Sequence, residues 1–207
     1  MKTVLAVLLF LPLAAFGNET AYQALRAAGA QRSKVLLGNV IEVKGRNGAP
    51  QPASWTILFK DPLARGGVRE LVIASGRIMS EKTPLHPAAA PTFATKDLRI
   101  DSTQAFARAE VIARTGRLGF HSADYLLRCD RAAGAMWEVQ LLDAQQRSLG
   151  SVFISAGTGA VISNTLVFPK GSWAAGGGMR GRLIRGSQSV GDKLTEFWTG
   201  QPPKKKN

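Results

Sequence analysis

The stretch SWTILFKDP, residues 54–62, alternates apolar and polar side chains with the two-residue period of a strand. Trp55, Ile57 and Phe59 point one way from such a strand, and Thr56, Leu58 and Lys60 the other. The pattern returns as MWEVQLLDA, residues 136–144, where Trp137, Val139 and Leu141 make the apolar edge. Each stretch runs into an aspartate, Asp61 or Asp143, and aspartate starts turns by accepting hydrogen bonds from backbone amides just ahead of it. Upstream of each lies a helical period. In NETAYQALRAAG, a cap-like Asn18 opens a stripe of Ala21, Tyr22, Leu25 and Ala28 that meets a stop signal at Gly29. In DSTQAFARAEVIARTG, Asp101 and Gln104 set up a capping box, and the stripe of Ala105, Phe106, Ala109, Ile112 and Ala113 ends at Gly116.

After each helix the sequence predicts a strand, KVLLGNVIEVKG in the first case and SADYLLRCD in the second, then a polar loop (residues 46–52 and 131–134) and the Trp strand. Beyond the two aspartates come VRELVIA with Ser75-Gly76 and VFISA with Thr158-Gly159. Trp55 and Trp137 stand 82 positions apart, Gly76 and Gly159 83. The same order at one offset reads as an internal duplication. The expected fold class is α+β, with two repeated helix-on-antiparallel-sheet units at residues 18–80 and 101–163. Trp55 and Trp137 are then equivalent core markers under their helices. The competing reading makes them exposed recognition residues, and their alternation with polar neighbours favours the core.

Residues 81–100 hold Pro84, Pro87 and Pro91 around an alanine run and read as a linker. Residues 164–207 form a glycine-rich basic tail. In SVGDKLTEFW, Val190, Leu194, Phe197 and Trp198 share one face of a short amphipathic helix at about 188–199, followed by Lys204, Lys205 and Lys206. That helix either docks on its own sheet or contacts a membrane surface or partner through Leu194, Phe197, Trp198 and the three lysines.

Charge and the first residues add an address. Lys2, an apolar run over residues 4–16 and Ala15-Phe16-Gly17 have the form of a signal peptide cleaved between Gly17 and Asn18. The run is shorter than the roughly 20 residues of a spanning helix; the competing reading is an uncleaved anchor. The chain is therefore expected outside the cytoplasm, periplasmic or extracellular. Net charge is +13, and from Lys170 onward there are eight basic residues against two acidic ones. For an exported chain this balance points to anionic lipid, envelope polymer or acidic protein faces, and away from nucleic acid; plain solubility is the bland alternative.

Candidate chemistry is sparse. Cys129, the single cysteine, shares a strand face with Tyr125 and Leu127 and reads as a buried, inert thiol. His86 sits among prolines, and His121 lies between helix and strand; neither belongs to a metal-ligand array. His121 and Asp124 lack the nucleophile elbow that would make a triad of them. Gly176, Gly178 and Gly181 match G-x-G-x-x-G, but no strand precedes them and no helix follows in a βαβ unit. The expectation is no enzyme, no metal and no cofactor.

The second unit resembles the PepSY domain. The residues that carry this are the alanine-rich helix, Trp137, Val139, Leu141 and Asp143, then Gly150, Val152 and Ile154, and the closing Thr158-Gly159-Ala160-Val161. The pattern of that family is W-x-V-x-L-x-D, a glycine, and an apolar strand ending D-A-x-T-G-x-V; here Ser155 stands where its aspartate falls. In the first unit Trp55, Ile57 and Asp61 match, and Ser75-Gly76 replaces Thr-Gly. The resemblance implies a cystatin-like helix-on-sheet fold and restraint of peptidases outside the cytoplasm. Since no peptidase sequence follows, the expected partner is another envelope or secreted protein, acted on in trans. The alternative is an envelope-attached protein that binds an anionic polymer or membrane surface through its tail.

Overall fold

A computed structural model describes residues 18–84, 90–130 and 133–169. The expected signal segment with Gly17, the glycine-rich connector, His86, and the tail contacts Leu194, Phe197, Trp198, Lys204, Lys205 and Lys206 lie outside the described residues.

The first helix, α1 (Ala21–Gln31), starts later than its sequence suggests. Its cap is Thr20, not Asn18. The Thr20 hydroxyl accepts from the Gln23 amide at 3.3 Å, and the Gln23 side chain accepts from the Thr20 amide at 2.8 Å, so two otherwise unpaired donors are satisfied at once. Asn18 instead donates from its side chain to the Gln51 carbonyl. Nor does Gly29 stop the helix. It lies within α1 where a Cβ would come 2.6 Å from Leu37, so the glycine permits close packing. The second helix, α2 (Ser102–Thr115), has the expected capping box of Asp101 and Gln104 and ends at Gly116.

Between α1 and the first strand, KVLLG is a 3-10 turn capped by Ser33, so the strand expected over KVLLGNVIEVKG begins only at Val40. The strands are β1 (Val40–Gly48), β2 (Trp55–Lys60), β3 (Val68–Ala74), β4 (Arg77–Lys82), β5 (Ser122–Asp130), β6 (Gly134–Leu142), β7 (Ser148–Ser155) and β8 (Val161–Asn164). They form one antiparallel sheet in the order β4-β3-β2-β1-β5-β6-β7-β8. The sheet is therefore continuous, not two small sheets. The join is the antiparallel pair β1–β5, with Val43 opposite Leu127 and Gly45 opposite Tyr125.

Both helices lie on one face. Their small stripe residues, Ala21, Ala24, Ala28, Ala105, Ala109 and Ala113, are fully buried with Trp55, Trp137 and Tyr125 in a single core. Alanine at these positions lets a helix approach bulky rings without overlap. Trp55 lies 5.6 Å from Tyr125 and 6.4 Å from Trp137 between ring centroids, edge to face, an arrangement worth about 0.5–1.5 kcal/mol per pair beyond burial. Each indole also has a backbone partner. Trp55 donates to the Glu19 carbonyl at 2.9 Å and Trp137 to the Ile100 carbonyl at 3.2 Å, in each case the residue just before a helix cap.

The two helix N-termini meet above this seam. The Ala21 amide donates to Ser102 Oγ at 3.1 Å and the Tyr22 amide to Asp101 Oδ1 at 3.0 Å. The Asp101 carboxylate thus offsets two abutting positive helix ends. The segment read as a linker is partly structured. Phe93 forms a bridge to Val40, Thr95–Asp97 is a 3-10 turn, and Leu98 and Ile100 are buried in the core. Its apolar positions follow no single period, so the burial is set by its pairing with Val40 at the start of central strand β1 and by the bonds of the Arg99 and Ile100 amides to the Ala156 carbonyl.

Candidate functional site

Strand alternation puts charged and polar side chains among apolar ones on the second sheet face, and no described helix lies on it. The register sets them in rows. One row runs Glu70, Leu58, Glu42, Arg128, Met136; the next runs Val72, Thr56, Lys44, Leu126, Glu138, Phe153. Along β1, Glu42 and Lys44 pair at 2.6 Å. Between β5 and β6 Arg128 faces Glu138 at 3.8 Å, and Glu138 also accepts from Ser151 Oγ at 2.9 Å. Asp124 accepts from the Asn47 amide at 2.8 Å, with Asn47 in the left-handed region. Burial pushes the Arg128 guanidinium down to about 10, against the pull of Glu138, Glu42 and Asp130, so it stays cationic at neutral pH.

Two adjoining hollows open on this face. The larger, about 490 Å³, is lined by Glu42, Lys44, Arg46, Ser54, Thr56 and Glu70 among others. The smaller, about 170 Å³, shares Lys44 and Arg46 and adds Asp124, Leu126, Glu138 and Gln140. An apolar patch of Ile41, Leu58 and Val68, touched by Ala90, bounds the same face. The result is a charged floor suited to polar contact with a partner. These residues are legible as the polar half of each strand's alternation. Their assembly on one surface is not, because it needs the β1–β5 register.

The residues singled out by sequence are placed elsewhere. Trp55 and Trp137 are fully buried on the helix side. Cys129 is half-buried, packed against the core, and its thiol is pushed up by burial and by Asp130. His121 is exposed, its amide bonded to the Leu142 carbonyl. Asp61 and Asp143 both cap turns. Asp61 accepts from the Leu63 amide and, at 2.5 Å, from Arg69; Asp143 accepts from the amides of Gln145 and Arg147 and from the Arg147 side chain. Burial raises the Asp61 carboxyl, but the hydrogen bonds and charge of Arg69 outweigh this and hold it below the usual carboxylate range. Arg69 also pairs with Glu81, and Glu81 with Arg32, so this cluster is satisfied internally.

Glu19, unremarked in the sequence, is buried at the start of α1. Its Oε2 accepts from the Gly76 amide at 2.8 Å, whereas Oε1 is buried with no partner among the described residues. Burial pushes this carboxyl up. Among the described residues no group of His, Cys, Asp and Glu has a metal-binding arrangement, and no helix is long and apolar enough to cross a membrane. No protein-family model, curated protein or solved structure matches the chain.

Proposed function

We propose that this chain is an exported, non-catalytic binding protein built from two PepSY-like units, and that it holds another envelope protein on its open sheet face. The observation that carries the reading is the one-sided architecture. Both helices cover the Trp face, and the opposite face presents a charged, hollowed floor across β3, β2, β1, β5 and β6. The duplication is supported by paired details: two capping boxes, two indoles bonded to the carbonyl before a cap, and two aspartate turns that each hold an arginine. A partner peptidase restrained in trans is the form of binding that the PepSY resemblance suggests.

The test is site-specific photocrosslinking in the exporting host. A photoreactive residue at Thr56 or Leu126, on the open face, should capture one identifiable envelope protein; the same residue at Ala107, on the exposed side of α2, should not. Capture from Ala107 alone would refute the sheet-face reading. If the captured protein is a peptidase, adding the purified chain should slow its turnover.

A second reading is favoured by the charge distribution, with eight basic residues from Lys170 onward. In it the tail attaches the chain to an anionic membrane surface or polymer. Removal of residues 170–207 would then release the protein from the membrane or wall fraction, whereas a sheet-face binder would keep its distribution.

A further inference from the structure

Between β2 and β3 the sequence DPLARGG sets a leucine on a turn that the fold holds in place. Asp61 Oδ1 accepts from the Leu63 amide at 2.9 Å, and the Asp61 amide donates to the Gly67 carbonyl. Ala64 is buried by this turn, whereas Leu63 is 93% exposed. A second large apolar side chain stands close by. Val35, in the KVLLG turn, is 75% exposed, although Leu36 beside it is buried. Asn39 joins the two turns. Its side chain donates to the Val35 carbonyl at 3.2 Å, and its own carbonyl accepts from the amide of Lys60, three residues before Leu63.

The same end of the sheet is basic. Lys34 precedes Val35, Lys60 ends β2, and Arg65 lies two residues after Leu63. Lys96 belongs to the Thr95–Asp97 turn, which Thr95 Oγ1 ties to the Leu37 carbonyl at 2.6 Å. All four are exposed, and none forms an ion pair among the described residues. The neighbouring carboxylates do not cancel them. Asp61 bonds Arg69, and Glu81 bonds both Arg69 and Arg32. Glu70, diagonal to Lys60, stands directly opposite Lys82. Asp97, exposed beside Lys96, offsets one of the four.

A single exposed leucine or valine is ordinary on a protein surface. Two on adjoining turns, set among four exposed cations, suit a partner that is anionic outside and apolar beneath. We propose that this end of the sheet docks on an anionic lipid bilayer, with Leu63 and Val35 entering the headgroup boundary and Lys34, Lys60, Arg65 and Lys96 meeting the lipid charges. A soluble polyanion would take the cations but leave Leu63 in water; a bilayer takes both. The contact is separate from the tail attachment weighed above and from the sheet-face reading, because it lies at the strand ends and not on the hollowed floor.

The experiment places an environment-sensitive fluorescent amino acid at Leu63 of the full mature chain and adds vesicles. Vesicles of phosphatidylcholine with about one third phosphatidylglycerol should blue-shift this probe, and vesicles of phosphatidylcholine alone should not. The same probe at Ala107, on the exposed side of α2, should stay unmoved in both. In the unlabelled chain, K34Q, K60Q and R65Q should each lower partition onto the anionic vesicles by roughly two- to fivefold, and L63A by roughly three- to tenfold. Circular dichroism verifies that each chain is folded; if the Leu63 probe prevents folding, Val35 carries it instead. Partition unchanged in the triple variant K34Q/K60Q/R65Q, or equal blue shifts at Leu63 and Ala107, would overturn the proposal. Binding to anionic vesicles with the Leu63 probe unmoved would assign the contact to residues 170–207 and overturn it too. Photocrosslinking from Thr56 reads a different surface, so capture of an envelope protein there stands or fails apart from these outcomes.

Discussion

Two buried carboxylates give this protein opposite responses to pH. Glu19 has its carboxyl pushed up by burial, so the unfolded chain ionises first as pH rises and folding loses stability from about pH 4 upward. Asp61 is held low by Arg69 and the Leu63 amide, so its contribution is present above the unfolded value and disappears as pH falls. In E19Q the first slope vanishes and the second stays. The stability difference between E19Q and the wild-type chain should therefore grow in favour of the variant from pH 4 to pH 7, as followed by chemical denaturation. A difference independent of pH would mean Glu19 is not desolvated. The two tryptophans pose a separate residue-scale test. W137F keeps a ring but leaves the Ile100 carbonyl without its indole donor, an expected loss of about 1–2 kcal/mol. W55A empties a fully buried site and should cost about 3–5 kcal/mol.

At the level of elements, the caps are unequal. Thr20 serves α1 alone, so T20A should cost about 1 kcal/mol. Asp101 accepts from its own helix at Ser102 and also from the Tyr22 amide at the start of α1. D101A removes a cap and a bridge between helices, and the expected loss is about 2–3 kcal/mol. Equal midpoint shifts for the two variants in thermal melts would show that the helix junction contributes nothing. The strands carry a comparable division of labour. Gly45 has its missing Cβ aimed where Trp55 and Pro52 pack at 2.7 and 2.5 Å, so the indole can lie flat on the seam. Edge strand β4 carries charged Arg77, Glu81 and Lys82 with a bulge between its pairings, features that discourage edge-to-edge association.

Over the whole molecule, the β1–β5 pair and the shared aromatic core tie the two halves into one unit. Trp55 and Trp137 touch across the seam, and helix-end amides bond to the other half. Unfolding should consequently be a single transition, coincident by tryptophan fluorescence and far-ultraviolet circular dichroism. Two resolved transitions would mean that the halves fold independently and that the seam is weak. The same one-sided stacking leaves the opposite face uncovered by either described helix, so the packing that stabilises the sheet and the surface proposed for binding lie on different faces.

Much of this was legible locally. The period-two runs at Trp55 and Trp137, the Asp101 capping box, both aspartate turns and the buried tryptophans follow from neighbours a few residues apart, where backbone geometry alone decides which side chains share a face. The start of α1 is ambiguous in the sequence because Asn18 and Thr20 both suit a cap, and only the Gln23 side chain reaching back to Thr20 chooses between them. KVLLG turned out as a 3-10 turn for a similar reason, with Ser33 capping Val35. What no local pattern contains is the pairing of β1 with β5. Their sequence separation is large, and either strand could have formed an edge. Burying Trp55, Tyr125 and Trp137 in one cluster resolves that choice, and with it the single sheet, the abutting helix ends and the charged floor between Arg46 and Glu70. The sequence by itself determined the elements and their inward faces; the tertiary structure decided which polar faces became one surface, because only long-range burial of apolar side chains selects among strand orders that satisfy the backbone equally well.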